Sequence, residues 1–226
     1  RNEFLASISH ELRTPLTYIK GYADIISKQD ITDEERKEYL DIIREETEHL
    51  TVLVKNLFDL AKMDENKFVI NRKSVSLRQL IQTIEERIAP VMEEKNITLS
   101  TSCPVNIIGN IDPDRIQQVL LNILDNARKH TPDGKSISLE VTQNDREITI
   151  TISDEGEGIP KEEIPYLFER LYRVEKSRSR ESGGTGLGLA IAKEIIESHG
   201  GTIEIESKLG KGTKVIIHLT RGEYNG

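Results

Sequence analysis

The sequence predicts two parts of different class: an all-α helical hairpin that forms a dimeric four-helix bundle, then an α+β two-layer sandwich. Three observations carry this. Before about residue 70, apolar residues step by alternating threes and fours, the period of packed helices. From residue 137 onwards, two stretches alternate apolar and polar side chains, the period of strands with one buried face. Helical stretches lie between the strand-like ones, which places helices on one face of a single sheet. The implied division is a helical domain at 1–66, a linker at 67–76 and an α+β domain at 77–226.

Taken in order, Leu5, Ile8, Leu12, Pro15, Ile19, Tyr22 and Ile26 make the first helical stripe. A polar turn at 28–33 follows. Leu40, Ile43, Thr47, Leu50, Val54, Leu57 and Ala61 make the second stripe. Thr32 with Glu35 reads as a capping box that starts the second helix. A two-helix hairpin cannot bury a second apolar face alone, so the economical solution is a homodimeric four-helix bundle. Docking of the hairpin on the rest of its own chain is the alternative. Beyond the linker, 77–95 reads as a helix and 97–102 as a short strand. Asp112-Pro113 opens a helix that runs to about His130, with the cap followed by proline at the first helical position. Ile137, Leu139 and Val141 pair with Ile148, Ile150 and Ile152 across a turn at Asn144-Asp145. Ile203 and Ile205 pair with Val215, Ile217 and Leu219 across a turn at 210–212. One more helix occupies about 188–199.

Composition narrows the function. At 36% hydrophobic and 31% charged, the 226-residue chain is globular rather than disordered. Aromatic residues are only 4% and tryptophan is absent, so aliphatic side chains must fill the core. A net charge of −8 argues against a nucleic-acid partner, which needs a basic footprint. Any anion site must therefore be assembled locally. The single cysteine, Cys103, has no intrachain disulfide partner and reads as a buried structural thiol. No apolar run is long enough to span a bilayer and no signal peptide is evident. The chain opens at Arg1 rather than methionine, and is expected to be a piece of a longer protein.

The stretch SISHELRTPL at 7–16 sets a histidine beside a glutamate inside a helix that also contains proline. His10 is two residues from Ile8 and from Leu12, about 200° from each around the helix. It therefore faces away from the packing stripe. Thr14 lies one turn on, and Pro15 frees the carbonyl of Glu11. A zinc reading fails, because H-E-x-x-H needs a second histidine where Thr14 stands. A carboxylate that accepts one imidazole proton makes the other ring nitrogen a better nucleophile. Attack on phosphorus is the chemistry this suits, and it requires a phosphoryl donor.

Three later stretches suit a phosphate ligand. NILDNARKH sets Asn122 and Asn126 one turn apart, with Lys129 and His130 in the next turn. DEGEGIP, 154–160, follows a strand, and SGGTGLGLA, 182–190, leads into a helix. The last is neither a P-loop, since Leu189 and Ala190 follow its final glycine, nor a good dinucleotide fingerprint, since no strand precedes it. A glycine loop opening a helix still presents free N–H groups to an anion. Taken alone, Asp154 could be simple turn chemistry.

Together and in this order, these motifs resemble the catalytic core of a bacterial sensor histidine kinase, the ATP-dependent kinase of two-component signalling. SHELRTPL is similar to the H box, NILDNARKH to the N box, DEGEGIP to the G1 box, LFERLYR to the F box and GGTGLGLA to the G2 box. The resemblance implies a HisKA-type dimerisation and phosphoacceptor domain. It also implies a HATPase domain of the Bergerat fold, shared with gyrase, Hsp90 and MutL. By the same resemblance His10 is the phosphoacceptor, Glu11 its general base, and Thr14 the residue that positions water to hydrolyse a response regulator's aspartyl phosphate. Asn126 binds Mg²⁺ with Asn122 beside it, and Lys129 contacts the ATP phosphates. His130 stands where the family often has tyrosine. Asp154 accepts the adenine amino proton, and Gly156 and Gly158 let the backbone approach the nucleotide. Arg173 holds the γ-phosphate. Gly184, Thr185, Gly186, Leu187 and Gly188 form the glycine-rich phosphate loop, and 173–184 reads as a mobile lid. The expected partners are a second copy of the chain and a cognate response regulator. The expected location is the cytoplasmic portion of a membrane-anchored sensor. A regulator-binding scaffold without kinase activity and an ATP-driven clamp are the competing readings.

Overall fold

The computed structural model describes residues 2–27, 31–64, 69–174 and 185–221. The chain divides into two compact units, Arg1–Lys67 and Phe68–Gly226.

The first unit is an α-hairpin of α1 (Asn2–Ser27) and α2 (Asp33–Asp64). The capping box forms: the Thr32 N–H donates to the Glu35 carboxylate at 2.8 Å, and the Glu35 N–H donates to Thr32 Oγ1 at 3.2 Å. Asp33, Glu34 and Glu35 fill the first turn, where acidic side chains complement the helix dipole. On α1 the covered positions include those of the stripe: Pro15 is buried, and Ile8, Leu12, Ile19, Tyr22 and Ile26 are half-buried. The Tyr22 ring lies 5.2 Å from that of Tyr39 on α2, the two planes tilted by 31°. On α2 the covered positions include Tyr39, Ile43, Leu50, Leu53, Leu57 and Leu60, and Asn56 and Asp59 are buried as well. Leu40 and Val54, read as members of the same stripe, instead stay 51% and 47% exposed. The reason is that α2 carries two apolar faces, and packing a single α1 covers one of them.

The second unit contains β1 (Lys73–Ser76), α3 (Leu77–Glu93), β2 (Thr98–Ser102), β3 (Ile108–Ile111) and α4 (Pro113–His130). There follow β4 (Ser136–Gln143), β5 (Glu147–Asp154), a 3₁₀ turn (Ile164–Tyr166), α5 (Gly188–Ser198), β6 (Thr202–Ser207) and β7 (Thr213–Thr220). Five strands form one sheet in the order β2-β4-β5-β7-β6. Only β2 and β4 run parallel in it. The inward residues Ile137, Leu139, Val141, Ile148, Ile150, Ile152, Ile217 and Leu219 are buried. Against them lie the apolar faces of α4, with Ile116, Val119, Leu120, Ile123 and Leu124, and of α5, with Ile191, Ile195 and Ile196.

Two differences from the sequence reading stand out. The end of the stretch read as linker is a strand, β1, and it pairs antiparallel with β3, which the pattern does not reveal. Both are four residues long, too short for alternation to register. Their pairing starts α3 and α4 from a fixed base. Asp112 accepts the Arg115 N–H at 3.2 Å as the N-cap of α4 and the Asn71 N–H at 2.9 Å. The Asp112 N–H in turn donates to Nε2 of buried His199 at 3.0 Å, and His199 Nδ1 donates to the Ile195 carbonyl at 2.7 Å. These bonds require a neutral imidazole protonated on Nδ1. Burial pushes the His199 pKa down, against the Ile195 hydrogen bond that raises it.

Candidate functional site

On α1, His10 and Thr14 are exposed and Glu11 is half-buried. Thr14 Oγ1 donates to the His10 carbonyl at 3.2 Å, the back-bonding common for threonine inside a helix. No hydrogen bond joins His10 to Glu11 among the described residues: successive side chains on a helix diverge by about 100°. Pro15 sits inside the helix, five residues past His10, so the helix presents an accessible imidazole just before its weakest rung.

In the second unit the polar face of α4 sits above its buried apolar face. Asn122 Nδ2 lies 3.5 Å from the carbonyl of Gly188, the first residue of α5. Asn126, one turn on, has no hydrogen-bond partner among the described residues, which leaves its carboxamide oxygen available. Asp125 accepts from Lys129 Nζ at 2.7 Å and from Arg128 at 2.9 Å. Burial pushes the Asp125 carboxyl up, but Lys129 and Arg128 outweigh it and hold its pKa below the ordinary value. His130 Nδ1 is 3.4 Å from the Glu157 carboxylate. At the helix end, Lys95 Nζ donates to the carbonyls of Arg128 and Thr131, both at 3.0 Å. That ammonium satisfies carbonyls the helix leaves open.

The loop after β5 is built around Asp154. Its Oδ1 accepts the Gly156 N–H at 2.8 Å and the Thr213 N–H at 3.1 Å. Burial raises the Asp154 pKa and outweighs both hydrogen bonds. Gly156 is required by contact rather than by conformation: a Cβ there would lie 2.6 Å from the His130 carbonyl oxygen. Gly158 has φ +70°, and a methyl there would overlap the Lys208 carbonyl. The loop is thereby clamped between the end of α4 and the β6–β7 turn. Ser207 Oγ completes the clamp, accepting the Ile159 N–H at 2.8 Å and donating to the Gly212 carbonyl at 2.9 Å.

Before α5, Thr185 and Leu187 are buried. The Leu187 N–H lies 3.3 Å from Thr185 Oγ1. The N-cap position makes no side-chain cap, so among the described residues no side chain caps the first turn of α5, whose N–H groups suit an anion. Gly186, at φ +66°, accepts the Leu171 N–H at 2.8 Å, and Leu171 itself has φ 65°. Arg173 is half-buried on the segment that follows Leu171. Gly184, and all of the expected lid but Arg173 and Val174, lie outside the described residues.

The structure thus brings Asn122, Gly188 and the open end of α5 together, and His130, Asp154, Gly156 and Gly158 together. Sequence reasoning missed Thr213 and Ser207, which fix Asp154 and its loop. Their signal was the run Gly210-Lys211-Gly212-Thr213: Gly212 has φ +89°, and a side chain there would strike the Asp154 carbonyl.

Comparison with known proteins places the chain in a family. Residues 1–66 match the His Kinase A (phospho-acceptor) domain. Residues 111–223 match the histidine kinase-, DNA gyrase B- and HSP90-like ATPase family. The chain is 41% identical over 223 residues to the sensor protein kinase WalK of Staphylococcus aureus, covering 97% of this chain and 53% of that protein. The chain thus spans about half the length of the curated relative, or less for longer forms of it. Among solved structures, histidine kinase ThkA in complex with the response regulator protein TrrA superposes with a TM-score of 0.78 at 24% identity, over 97% of this chain and 61% of ThkA. The Acinetobacter baumannii histidine kinase AdeS gives 0.74 at 24% identity, over 95% of this chain and 98% of AdeS. These two likenesses speak for the fold.

Proposed function

Given that the chain belongs to the histidine kinases, we propose that it is the catalytic core of a two-component sensor, which phosphorylates its own His10 from ATP and passes the phosphoryl group to an aspartate of a response regulator. Residues 1–66 serve as the dimerisation and phosphotransfer domain and 77–226 as the ATP-binding domain. The observation that carries this reading is the exposed, unengaged imidazole of His10, in a chain whose second unit offers an uncapped helix end beside Asn122.

In the first step an imidazole nitrogen attacks the γ-phosphorus. The N–P bond forms, the bond from phosphorus to the bridging oxygen breaks, and ADP leaves. Glu11 takes the imidazole proton once its side chain turns towards His10, a contact the two side chains do not make in the structure. In the second step the phosphoryl group moves from His10 to the regulator's carboxylate. Catalysis of this kind is mostly positioning and charge stabilisation. The open N–H groups of α5, with Lys129 and Arg173, supply positive charge to the triphosphate in a chain that is acidic overall. The half-buried carboxylate of Asp154 accepts the adenine amino group. The unclaimed carboxamide oxygen of Asn126 fits Mg²⁺, a cation that takes oxygen ligands and binds with few protein groups beside phosphate. When bound there, the ion neutralises phosphate charge.

Thr14, exposed one turn from His10, orients water for the reverse regulation, hydrolysis of the regulator's aspartyl phosphate. ThkA, of like fold, was solved with its regulator TrrA, which supports a regulator as the partner here. The second apolar face of α2 supports a homodimer. No helix among the described residues is long and apolar enough to cross a membrane, and the core acts as the cytoplasmic portion of a longer, membrane-anchored sensor.

The test is incubation with γ-labelled ATP and Mg²⁺, comparing wild type with His10→Gln. Acid-labile, alkali-stable label that is lost in the variant is the expected result. Bound ATP without label would replace this reading with the regulator-docking scaffold.

A further inference from the structure

One acid stands among the bases that close α4. Asp125 Oδ2 lies 2.7 Å from Lys129 Nζ, while Oδ1 accepts from Arg128 at 2.9 and 3.2 Å. The Lys129 and Asp125 side chains are 22% and 40% exposed, so the pair is partly withdrawn from water yet open on one side. We propose that Asp125 is a positioning residue that restrains Lys129 and sets nucleotide affinity by competing with the triphosphate for its ammonium. This rests on the reading of Lys129 as a phosphate contact.

The geometry favours a restrained lysine. Asp125 precedes Lys129 by four residues, the order in which an acid–base pair on a helix is most favourable. At 2.7 Å the contact is a charge-assisted hydrogen bond. A polyanion that recruits Lys129 must draw the ammonium off Asp125, or settle within a few ångströms of a carboxylate of the same sign. Either outcome opposes binding. The neighbouring Asn126 and Asn122 carry no charge, so on this face of α4 the opposing charge comes from Asp125. The consequence extends to ADP, which keeps two phosphates: the restraint weakens product as well as substrate and so aids release.

The experiment measures the dissociation constants of ATP and ADP with Mg²⁺, by calorimetry, for the whole chain, Asp125→Asn, Lys129→Met and the double variant. Asp125→Asn keeps the shape and an acceptor oxygen but removes the charge. It is expected to tighten ATP binding about two- to fivefold, the scale of a partly exposed ion pair. Lys129→Met should weaken binding, and Asp125→Asn should then have no further effect. In autophosphorylation assays KM should fall in Asp125→Asn while kcat does not rise. Weaker or unchanged binding in Asp125→Asn would overturn the proposal, making the carboxylate a guide for Lys129 rather than a rival. Full tightening in the Lys129→Met background would overturn it too, as a field effect that bypasses Lys129. Wild-type affinity in Lys129→Met would instead remove Lys129 from the site, and the premise would fail separately from the restraint. Thermal midpoints of all four proteins confirm that each is folded.

Discussion

Asp154 illustrates how a single carboxylate is prepared for binding at the expense of the free protein. It accepts two main-chain N–H groups, from Gly156 and Thr213, yet burial still raises its pKa. A carboxyl whose folded pKa lies above its unfolded value stabilises the fold while protonated, and that contribution is lost as pH rises through the folded pKa. At neutral pH the charge is therefore a cost to the free protein. Asp154→Asn, which can still accept both N–H groups, should leave the thermal midpoint of the free protein unchanged or higher. It should also abolish the upward shift that ATP produces, and scanning calorimetry with and without ATP reads both. At this scale the sequence singles out positions by side-chain type, and the structure finds His10 exposed and the Asp154 carboxylate held by two main-chain N–H groups. The sequence was not legible at Thr213, whose contribution to Asp154 is a main-chain N–H that nearly every residue type carries.

At the scale of elements, α4 is the platform, and its two ends are held differently. Its C-terminal carbonyls are capped by Lys95, and its N-terminus by Asp112, which is tied in turn to neutral His199 at the end of α5. Burial depresses the His199 pKa, so below the ordinary histidine value the unfolded chain binds the extra proton and the folded one resists it. Stability should therefore fall as pH drops from about 6.5 towards the folded pKa and level off beneath it. His199→Gln should flatten that dependence while costing about 1–3 kcal/mol at pH 8, since a buried hydrogen-bonded group is replaced by an imperfect one. Chemical denaturation across pH 5 to 8 checks both statements. The long elements could be read from the sequence because each repeats its period several times. The short β1 and β3 could not: Lys-Ser-Val-Ser and Ile-Gly-Asn-Ile complete at most two repeats, and each finds its partner strand far along the chain.

For the whole molecule, the decisive feature is the apolar face that α2 leaves uncovered within one chain. Leu40 and Val54 are about half exposed and Phe58 is 66% exposed. Val54 and Phe58 are four residues apart, and Leu40 lies two heptads before Val54, so the three lie along one side of the helix. Lys62 sets its ammonium over the Phe58 ring, 5.7 Å from the centroid, a contact with the ring face that leaves the stripe exposed to water. The sequence period had merged this stripe with the one that faces α1, because a heptad count reports that a face is apolar and not what it packs against. Burying two such stripes against each other across a two-fold axis closes the hydrophobic account that a lone hairpin leaves open. Charges placed on the stripe should therefore separate the protomers. Val54→Glu with Phe58→Glu is expected to convert a dimer to a monomer in sedimentation equilibrium at micromolar concentration. Affinity for ATP should stay unchanged, since the groups proposed to hold nucleotide lie beyond residue 120. A variant that remains dimeric would assign the exposed face of α2 to another partner and the self-association to a different surface.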